Sequence, residues 1–187
     1  MKIGMIGLGK MGLNMAQRLV RGGHDVVGNA RSESTIREAE ELGVTGARSV
    51  EELVGMLTAP RVVWVMVPAG EVTESVIQSL IPLLGEGDII IDGGNSNYKD
   101  TVRRAAELEA RGLHFVDCGT SGGILGLTEG YSQMIGGDEK VTEYLRPIFE
   151  PLAPGIALGL GGVGPAGAGH FTKKVHNGIE YGIMPAF

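Results

Sequence analysis

The chain has 187 residues, of which 43% are hydrophobic and 20% are charged, and this length and balance fit one globular domain with a short addition. Glycine contributes 32 residues and proline only 8, with no three-residue repeat, which excludes a collagen-like fibre. The net charge is -6 without any block of like charges, which argues against nucleic-acid or membrane-surface partners. No apolar run approaches a membrane span, and the single Cys118 excludes an internal disulfide. We therefore expect a protein of the cytoplasm.

Short apolar runs alternate along the chain with helix-like stretches. Strands are predicted at residues 2–7, 25–28, 44–47, 61–67, 88–92 and 113–116. Helices are predicted at residues 11–21, 34–42, from Ser49 onward, 72–84, 98–110 and 171–187. The glycine-rich residues 155–169 are predicted as a loop or linker. This alternation predicts an α/β fold with a doubly wound, mainly parallel sheet.

The first motif is a G-x-G-x-x-G sequence that follows the first strand and opens the first helix. In that context Gly7 allows a tight turn, Gly9 allows the backbone to approach a pyrophosphate, and Gly12 allows the helix to pack on the strand. The N-terminus of the helix supplies N–H groups and a partial positive charge for the phosphates. The predicted dinucleotide-binding residues here are Gly7, Leu8, Gly9, Lys10, Met11 and Gly12. An ordinary glycine-rich turn is the alternative.

The end of the second strand bears on which dinucleotide binds. Proteins that bind NAD usually carry an acidic residue there for the ribose hydroxyl groups, but this chain has Asn29, Arg31 and Ser32 instead. Arg31 could pair with a 2′-phosphate and Ser32 could donate a hydrogen bond to it. NADP is therefore favoured over NAD. The alternative is that Arg31 is solvated and that the site accepts either cofactor.

Two further loops follow buried strands, at the sheet edge where such folds bind ligands. Val67, Pro68 and Ala69 follow the fourth strand and are predicted to form a wall for the nicotinamide, although a plain turn would also explain them. Asn95 follows two glycines after the next strand and offers both a donor and an acceptor. The alternative for that loop is a turn capped by Ser96 or Asn97.

The segment after residue 116 combines a cysteine with small residues. Ser121, Gly122 and Gly123 could form a nest of N–H donors for a carboxylate. Cys118 lies four residues from His114, which on an extended strand is roughly 13 Å and too far for activation. We therefore expect Cys118 to be a small core residue, and no cysteine–histidine spacing predicts a metal site.

The predicted last helix carries the most informative pattern. At roughly 100° per residue, one face is predicted to pack and contains Phe171, Val175, Gly178 and Gly182. The opposite face presents an amine, an imidazole, an amide and a carboxylate, from Lys173, His176, Asn177 and Glu180. Those groups suit proton transfer on a polar substrate. A solvated face with an ion pair is the alternative.

Taken together, these motifs closely resemble the decarboxylating 6-phosphogluconate dehydrogenases over nearly the whole chain. The resemblance is carried by GLGKMGLNMA, VMVPAG, DGGNSNYKD, the SGG of residues 121–123 and, most specifically, GHFTKKVHNGIEYG. It implies an oxidoreductase of the pentose phosphate pathway and of gluconate utilisation, with NADP or NAD as cofactor and a small phosphorylated sugar acid as substrate. Related β-hydroxyacid dehydrogenases share the first glycine motif, the SGG and a lysine helix, but not HNGIEY.

The resemblance also implies roles for individual residues. Lys173 corresponds to the general base that accepts the proton of the substrate hydroxyl as hydride leaves, and Glu180 to the acid that protonates the product after carbon dioxide is lost. Asn177 completes the implied catalytic set. The implied substrate-binding residues are Asn95, Ser121, Gly122, Gly123, His176, Asn177 and Tyr181.

The expected organisation is a dinucleotide-binding domain over residues 1–165, followed by the start of an interdomain helix over residues 166–187. The family's helical C-terminal domain is expected to lie outside this chain, and the family implies a homo-oligomer. The exposed end of the helix, including Val175, Ile179, Ile183, Met184 and Phe187, is expected to promote association. The alternatives are a β-hydroxyacid dehydrogenase for a smaller acid, or a nucleotide-binding module without catalysis.

Overall fold

The computed structural model describes residues 1–155 and 160–184, and its centre is an eight-stranded sheet. The strands are β1 (Lys2–Ile6), β2 (Asp25–Asn29), β3 (Thr45–Ala47), β4 (Val62–Val65), β5 (Ile89–Asp92), β6 (His114–Ser121), β7 (Ser132–Gly136) and β8 (Leu160–Gly164). Their spatial order is β3-β2-β1-β4-β5-β6-β7-β8. Among the described strands, the pair β6–β7 is antiparallel, and every other neighbouring pair, including β7–β8, is parallel. The predicted doubly wound, mainly parallel α/β fold is confirmed.

Helices cover both faces of this sheet. They are α1 (Lys10–Arg21), α2 (Glu33–Glu41), α3 (Val50–Gly55), α4 (Glu71–Leu80), α5 (Tyr98–Glu109), α6 (Gly126–Glu129), α7 (Glu139–Tyr144), α8 (Arg146–Phe149) and α9 (Ala168–Ile183). Short 3₁₀ turns lie at Gly123–Leu125 and Glu150–Leu152. One apolar layer packs under α1, α2, α7 and α8, and the other under α3, α4 and α5. Among the described helices, none is long and apolar enough to cross a membrane.

The central strands are continuous apolar runs because both of their faces are covered. The four residues of β4 and the four residues of β5 are all buried, as expected for parallel strands between two helical layers. The buried Trp64 of β4 packs edge-on against Phe149, with ring centroids 5.8 Å apart, and so joins the central strand to α8.

The glycine-rich segment was predicted as a loop or linker, and this is wrong for residues 160–164, which form β8. Residues 156–159 lie outside the described part of the chain. The sequence of β8 has three glycines in five residues, so it lacks the apolar run that identifies a strand. Its partner β7 supplies the pairing through the backbone, which no side-chain pattern reveals.

The last helix begins at Ala168 and ends at Ile183, close to the predicted 171–187, although residues 185–187 lie outside the described residues. It packs on β6, β7 and β8 beside α5. Strands β1 and β4 are neighbours in the sheet, and the strand order reverses between them. Such a reversal leaves a crevice at the carboxyl ends of the strands.

Candidate dinucleotide and substrate cleft

The turn between β1 and α1 is built from three glycines with different surroundings. Gly7 has a φ of 98°, and a Cβ atom at this position would collide with the carbonyl oxygen of Met66. A Cβ atom at Gly12 would collide with the carbonyl oxygen of Gly7. At Gly9, by contrast, a Cβ atom would have no described atom within 4 Å. Two glycines therefore close the turn, and Gly9 faces open space.

The N-terminus of α1 faces that open space. Gly9 is its N-cap residue, and no described side chain caps the helix. The first turn of a helix has N–H groups without intrahelical partners and a partial positive charge. Together with the open position at Gly9, it fits a pyrophosphate group, as the sequence motif predicts.

A cleft of about 360 Å³ opens in front of this helix end. It is lined by Gly9, Lys10, Met11, Gly12, Met66, Val67, Gly93, Gly94, Asn95, Thr120, Lys173 and Asn177. These residues come from the N-terminus of α1, from the carboxyl ends of β4, β5 and β6 or the loops just after them, and from α9. The cleft therefore lies at the crevice that the sheet topology creates.

The loop that carries Asn95 is fixed by hydrogen bonds to the buried carboxylate of Asp92. Asp92 is fully buried at the end of β5, and its Oδ1 accepts a hydrogen bond from the N–H of Gly94 at 3.0 Å. Its Oδ2 accepts a hydrogen bond from the hydroxyl of Ser96 at 2.7 Å. Asn97, not Ser96, caps α5 through the N–H of Lys99. Asn95, which lines the cleft, therefore lies in a turn whose two flanking residues are hydrogen-bonded to Asp92.

The buried Asp92 carboxylate is paired with the guanidinium group of Arg104. Arg104 of α5 is 3% exposed, and its Nη1 lies 3.6 Å from Asp92 Oδ2. Its Nε donates a hydrogen bond to Glu74 Oε2 at 2.9 Å. Arg103 and Arg104 together lower the pKa of Glu74 to about 2, because both guanidinium groups stabilise the ionised carboxylate. The chain Glu74–Arg104–Asp92 ties α4 and α5 to the loop of the cleft.

Lys173 is the most deeply placed reactive group of the cleft. Lys173 is only 9% exposed. Its side chain packs against β6 because Gly119 of that strand has no side chain of its own. A Cβ atom at Gly119 would come within 2.5 Å of Lys173 Cβ. Burial lowers the pKa of the Lys173 amine, and the Glu180 carboxylate opposes that shift. A lowered pKa brings an amine closer to use as a general base.

The prediction of which face of α9 packs is wrong. Phe171 and Val175 are 49% and 46% exposed, and Gly178 and Gly182 are exposed as well. The buried residues of the helix are Gly169, His170 and Lys173. The helix turns its small and polar side inward because β6 and β7 present glycines there, at Gly119 and Gly136.

The other predicted residues of α9 divide between the cleft and solvent. Asn177, one turn after Lys173, lines the cleft. His176, Glu180 and Tyr181 are exposed, and Tyr181 is exposed to 68%. The His176 Nδ1 lies 3.6 Å from Glu180 Oε2. Glu180 lies two turns beyond Lys173, a rise of about 10 Å along the helix, so the two groups reach different parts of the same side of α9.

The Ser121–Gly123 segment lies at the end of β6, outside the lining of the cleft. Gly122 and Gly123 have φ angles of 155° and 51° and are exposed, while Ser121 is half-buried. Successive glycines in such conformations leave N–H groups accessible. The carboxylate role predicted for this segment therefore stays a prediction.

The residues predicted to select the cofactor lie at the end of β2, beside the glycine turn. The Asn29 carbonyl accepts a hydrogen bond from the N–H of Gly7 at 2.9 Å, and its side-chain amide donates one to the Ala47 carbonyl at 2.9 Å. Ser32 caps α2 by accepting a hydrogen bond from the N–H of Thr35. Arg31 is exposed and forms no ion pair with a described residue. Of these three residues, it has the freest side chain for a phosphate.

Of the remaining predicted cofactor residues, only some line the cleft. Val67 lines the cleft, whereas Pro68 and Ala69 are exposed outside the lining. Leu8 is buried to 2% exposure and packs toward Gly28, so only its backbone is available to a ligand. Its side chain belongs to the core.

Four residues line the cleft that were not among the predicted site residues: Met66, Gly93, Gly94 and Thr120. Each lies at or just beyond the carboxyl end of β4, β5 or β6. The rule that parallel sheets bind ligands at this edge is the signal that identifies them. They carry no charged or reactive side chain, so their residue types give no chemical signal in the sequence.

Cys118 is confirmed as a core residue. It is fully buried, and burial raises the pKa of its thiol to about 12, so it is a poor nucleophile at neutral pH. No group of three metal-binding side chains occurs in the described ranges.

A larger groove of about 1000 Å³ lies between α5 and α7. Its lining includes Val102, Ala105, Phe115 and Val141, which are apolar. His114, at the beginning of β6, lines it as well. The groove therefore reaches the amino ends of the strands and lies away from the crevice where such sheets bind ligands.

The sheet order, the glycine turn and the open N-terminus of α1 define a dinucleotide-binding domain of the Rossmann type. Comparison with known families narrows this class. Residues 2–161 match the family described as the NAD binding domain of 6-phosphogluconate dehydrogenase, and the chain belongs to that family.

Two curated relatives show how far the similarity extends. The chain is 41% identical over 187 residues to the NAD(+)-dependent, decarboxylating 6-phosphogluconate dehydrogenase of Haloferax volcanii, covering 100% of this chain and 61% of that protein. It is 44% identical over 193 residues to the NADP(+)-dependent enzyme of Bacillus subtilis, covering 98% of this chain and 40% of that protein. The chain thus spans between about two fifths and three fifths of these relatives.

Two solved structures share the fold. The 6-phosphogluconate dehydrogenase of Plasmodium falciparum, solved alone, with NADP+ and with 6-phosphogluconate, matches with a TM-score of 0.90 at 33% identity, over 98% of this chain and 41% of that one. The 3-hydroxyisobutyrate dehydrogenase of Mycobacterium tuberculosis matches with a TM-score of 0.86 at 31% identity, over 95% of this chain and 59% of that one. The fold alone therefore does not separate these two activities.

Proposed function

We propose that this chain is the cofactor-binding part of an enzyme that oxidises and decarboxylates 6-phosphogluconate to ribulose 5-phosphate. The observation that carries the proposal is the buried Lys173 amine in the same cleft as the open helix end at Gly9. A general base beside a dinucleotide site is what oxidation of a hydroxyl group requires. The named relatives supply the substrate class.

The residues at the N-terminus of α1 would hold the dinucleotide. Gly9 leaves space for the pyrophosphate, and Gly7 and Gly12 keep the turn tight. Val67 and Met66 supply apolar surface at the floor of the cleft. When bound, the dinucleotide accepts hydride from the carbon that carries the substrate hydroxyl group.

Lys173, Asn177 and Asn95 would act directly on the sugar acid. The Lys173 amine, with its lowered pKa, accepts the proton from the hydroxyl group as that carbon is oxidised. The two amides can each donate and accept hydrogen bonds and so orient the acid. The oxidised product is a β-keto acid, which loses carbon dioxide as the charge on its oxygen is stabilised by donors.

Glu180 is assigned the last proton transfer. Its carboxyl group lies on the same side of α9, about 10 Å further along the helix, and it is half exposed. It would protonate the carbon from which carbon dioxide has left. Its partner His176, at 3.6 Å, is assigned with Ser121, Gly122, Gly123 and Tyr181 to binding the substrate at the mouth of the cleft.

NADP is the proposed cofactor. The exposed Arg31 beside the N-terminus of α2 supports this choice, because a guanidinium group pairs with a 2′-phosphate. The nearby Glu33 is held by Arg48 and Arg37, at 3.0 and 3.3 Å. The two guanidinium groups offset the negative charge of Glu33 and so reduce its repulsion of a 2′-phosphate bound at Arg31.

The exposed apolar side of α9 fits a contact with further protein, either the rest of the polypeptide or a second copy, and the proposed homo-oligomer rests on the family resemblance. Val175, Ile179, Ile183 and Met184 are each between 46% and 63% exposed, and apolar surface of this kind is usually covered by protein. A cytoplasmic location is proposed because the named relatives are metabolic enzymes.

The proposal is tested with the native polypeptide that carries this sequence. With 6-phosphogluconate and NADP, we expect reduced nicotinamide and carbon dioxide in equal amounts, and a lower kcat/KM when NAD replaces NADP. The competing substrate is 3-hydroxyisobutyrate. Its turnover without carbon dioxide, together with no reaction on 6-phosphogluconate, would assign the chain to the smaller β-hydroxyacids.

A further inference from the structure

A buried polar cluster lies beneath the first turn of α9 and outside the lining of the cleft. Asp117 of β6 is fully buried, and His170 of α9 and Thr101 of α5 are buried beside it. The Thr101 hydroxyl lies 2.8 Å from His170 Nδ1, and His170 Nδ1 lies 3.8 Å from Asp117 Oδ2. The cluster therefore joins three elements: β6, α5 and α9.

Asp117 of β6 caps the N-terminus of α9, the helix that packs on its strand. Its Oδ1 accepts a hydrogen bond from the N–H of Gly167 at 2.6 Å, and its Oδ2 accepts one from the N–H of His170 at 2.7 Å. The residue in the N-cap position is Gly167, which has a φ of 95° and no side chain to do this. Two N–H groups of this helix end are thus satisfied by a carboxylate that belongs to a strand.

The same contact brings the helix unusually close to the sheet. A Cβ atom at Gly169 would come within 2.9 Å of the Asp117 carbonyl oxygen, and one at Gly136 would come within 2.8 Å of the N–H nitrogen of Gly169. Lys173 follows one turn later, with its Cβ over Gly119. The two carboxylate bonds and these glycines together set where Lys173 sits.

We propose that Asp117 is a positioning residue for Lys173: its carboxylate fixes the depth and rotation of α9 and thereby holds the amine in the cleft. This inference rests on the proposed function only for the role of Lys173, because the placement itself is a property of the fold. A misplacement of about 1 Å in a catalytic group can cost about 100-fold in rate. A carboxylate 53 residues away in sequence from the second N–H group it binds is therefore expected to influence catalysis without touching substrate.

The informative substitution is Asp117→Asn. Asparagine has nearly the same size but only one acceptor oxygen, so its amino group would face one of the two N–H groups of α9. We expect the helix end to turn or lift, which moves Lys173 toward solvent. Thr101→Val is a milder second variant, since it removes the hydroxyl at 2.8 Å from His170 and leaves Asp117 in place.

Asp88→Asn is the matched control. Asp88 is also fully buried, and its carboxylate also accepts two backbone hydrogen bonds, from Arg61 at 2.6 Å and from Gly85 at 2.9 Å. It precedes β5, at the opposite end of the strand from the cleft. It should therefore reproduce the loss of stability without the displacement of Lys173.

The test uses the native polypeptide with ¹³C-labelled lysine. The ε-carbon resonance of Lys173 is assigned by its loss in Lys173→Met, and its pH titration is compared in wild type, Asp117→Asn, Thr101→Val and Asp88→Asn. We expect Asp117→Asn to raise the pKa of Lys173 toward its ordinary 10.5 and to lower kcat at least tenfold, with the dissociation constant for NADP changed less than threefold. Thr101→Val should move both in the same direction by less, and Asp88→Asn should leave both unchanged.

Wild-type titration and kcat in Asp117→Asn would overturn the inference, as would equal changes in Asp88→Asn. If Asp117→Asn does not fold, the decision falls to Asp117→Glu, which keeps both acceptor oxygens but displaces them by one methylene group, and an unchanged titration there contradicts the proposal. The Lys173 titration needs no substrate. An inactive wild-type protein would therefore overturn the proposed function, while the titration still decides the positioning role.

Discussion

Replacing Lys173 with methionine is expected to lower kcat for 6-phosphogluconate by about 10²–10⁴-fold, the usual contribution of a general base. Methionine has a similar length and no proton acceptor strong enough for this step. The dissociation constant for NADP should change by less than about threefold, because the proposed pyrophosphate site is at the N-terminus of α1 and not on α9. Initial rates and calorimetric titration measure the two quantities.

The same variant should not lose stability, and this separates a chemical effect from a folding defect. Burial holds the pKa of Lys173 below its ordinary 10.5, so the folded state binds fewer protons than the unfolded state just below that pH. Stability should therefore rise with pH through that window in the wild type and not in Lys173→Met. At neutral pH the variant is expected to be at least as stable as the wild type in urea unfolding. A clear loss of stability, or a kcat close to wild type, would contradict the assigned role.

Replacing Gly9 with valine is expected to weaken NADP binding by about 100-fold, or ~2.7 kcal/mol, without a loss of stability. Gly9 has a φ of -67° and a ψ of -176°, an extended conformation that valine adopts readily. A Cβ atom there meets no described atom within 4 Å. The added side chain would therefore occupy only the space assigned to the pyrophosphate.

Two other glycines make this prediction specific. Gly55→Val places the same side chain in open space on α3, away from the cleft, and should leave NADP binding unchanged. Gly12→Ala should destabilise the fold itself, because its Cβ atom would collide with the Gly7 carbonyl oxygen. Calorimetric titration and urea unfolding distinguish the three outcomes. Normal NADP affinity in a folded Gly9→Val protein would remove the pyrophosphate from this site.

Local sequence patterns predicted the parts of the fold whose residues carry their own signal. The apolar runs of β4 and β5 identify buried parallel strands, and the glycine spacing at residues 7–12 identifies the turn before α1. In contrast, β8 was missed because a strand with three glycines is held by backbone pairing to β7 and not by its own apolar side chains.

The candidate site shows the same limit. Lys173 and Asn177 were predicted from their residue types and spacing, and both lie in the cleft. The predicted packing side of α9 was wrong because the fit depends on glycines of other strands, Gly119 and Gly136, which helical periodicity cannot reveal. No local pattern marks Asp117, since its cap on α9 joins residues 50 and 53 positions apart.

The central claim is that Lys173 and the dinucleotide occupy one cleft. It is tested most directly by adding NADP to the protein with ¹³C-labelled lysine and following the ε-carbon resonance of Lys173. We expect that resonance to shift along a saturable binding curve whose dissociation constant equals the one that calorimetry gives. The resonance of the distant Lys140 should stay unchanged. A Lys173 resonance that does not move when NADP is fully bound would place the amine outside the site and contradict the account.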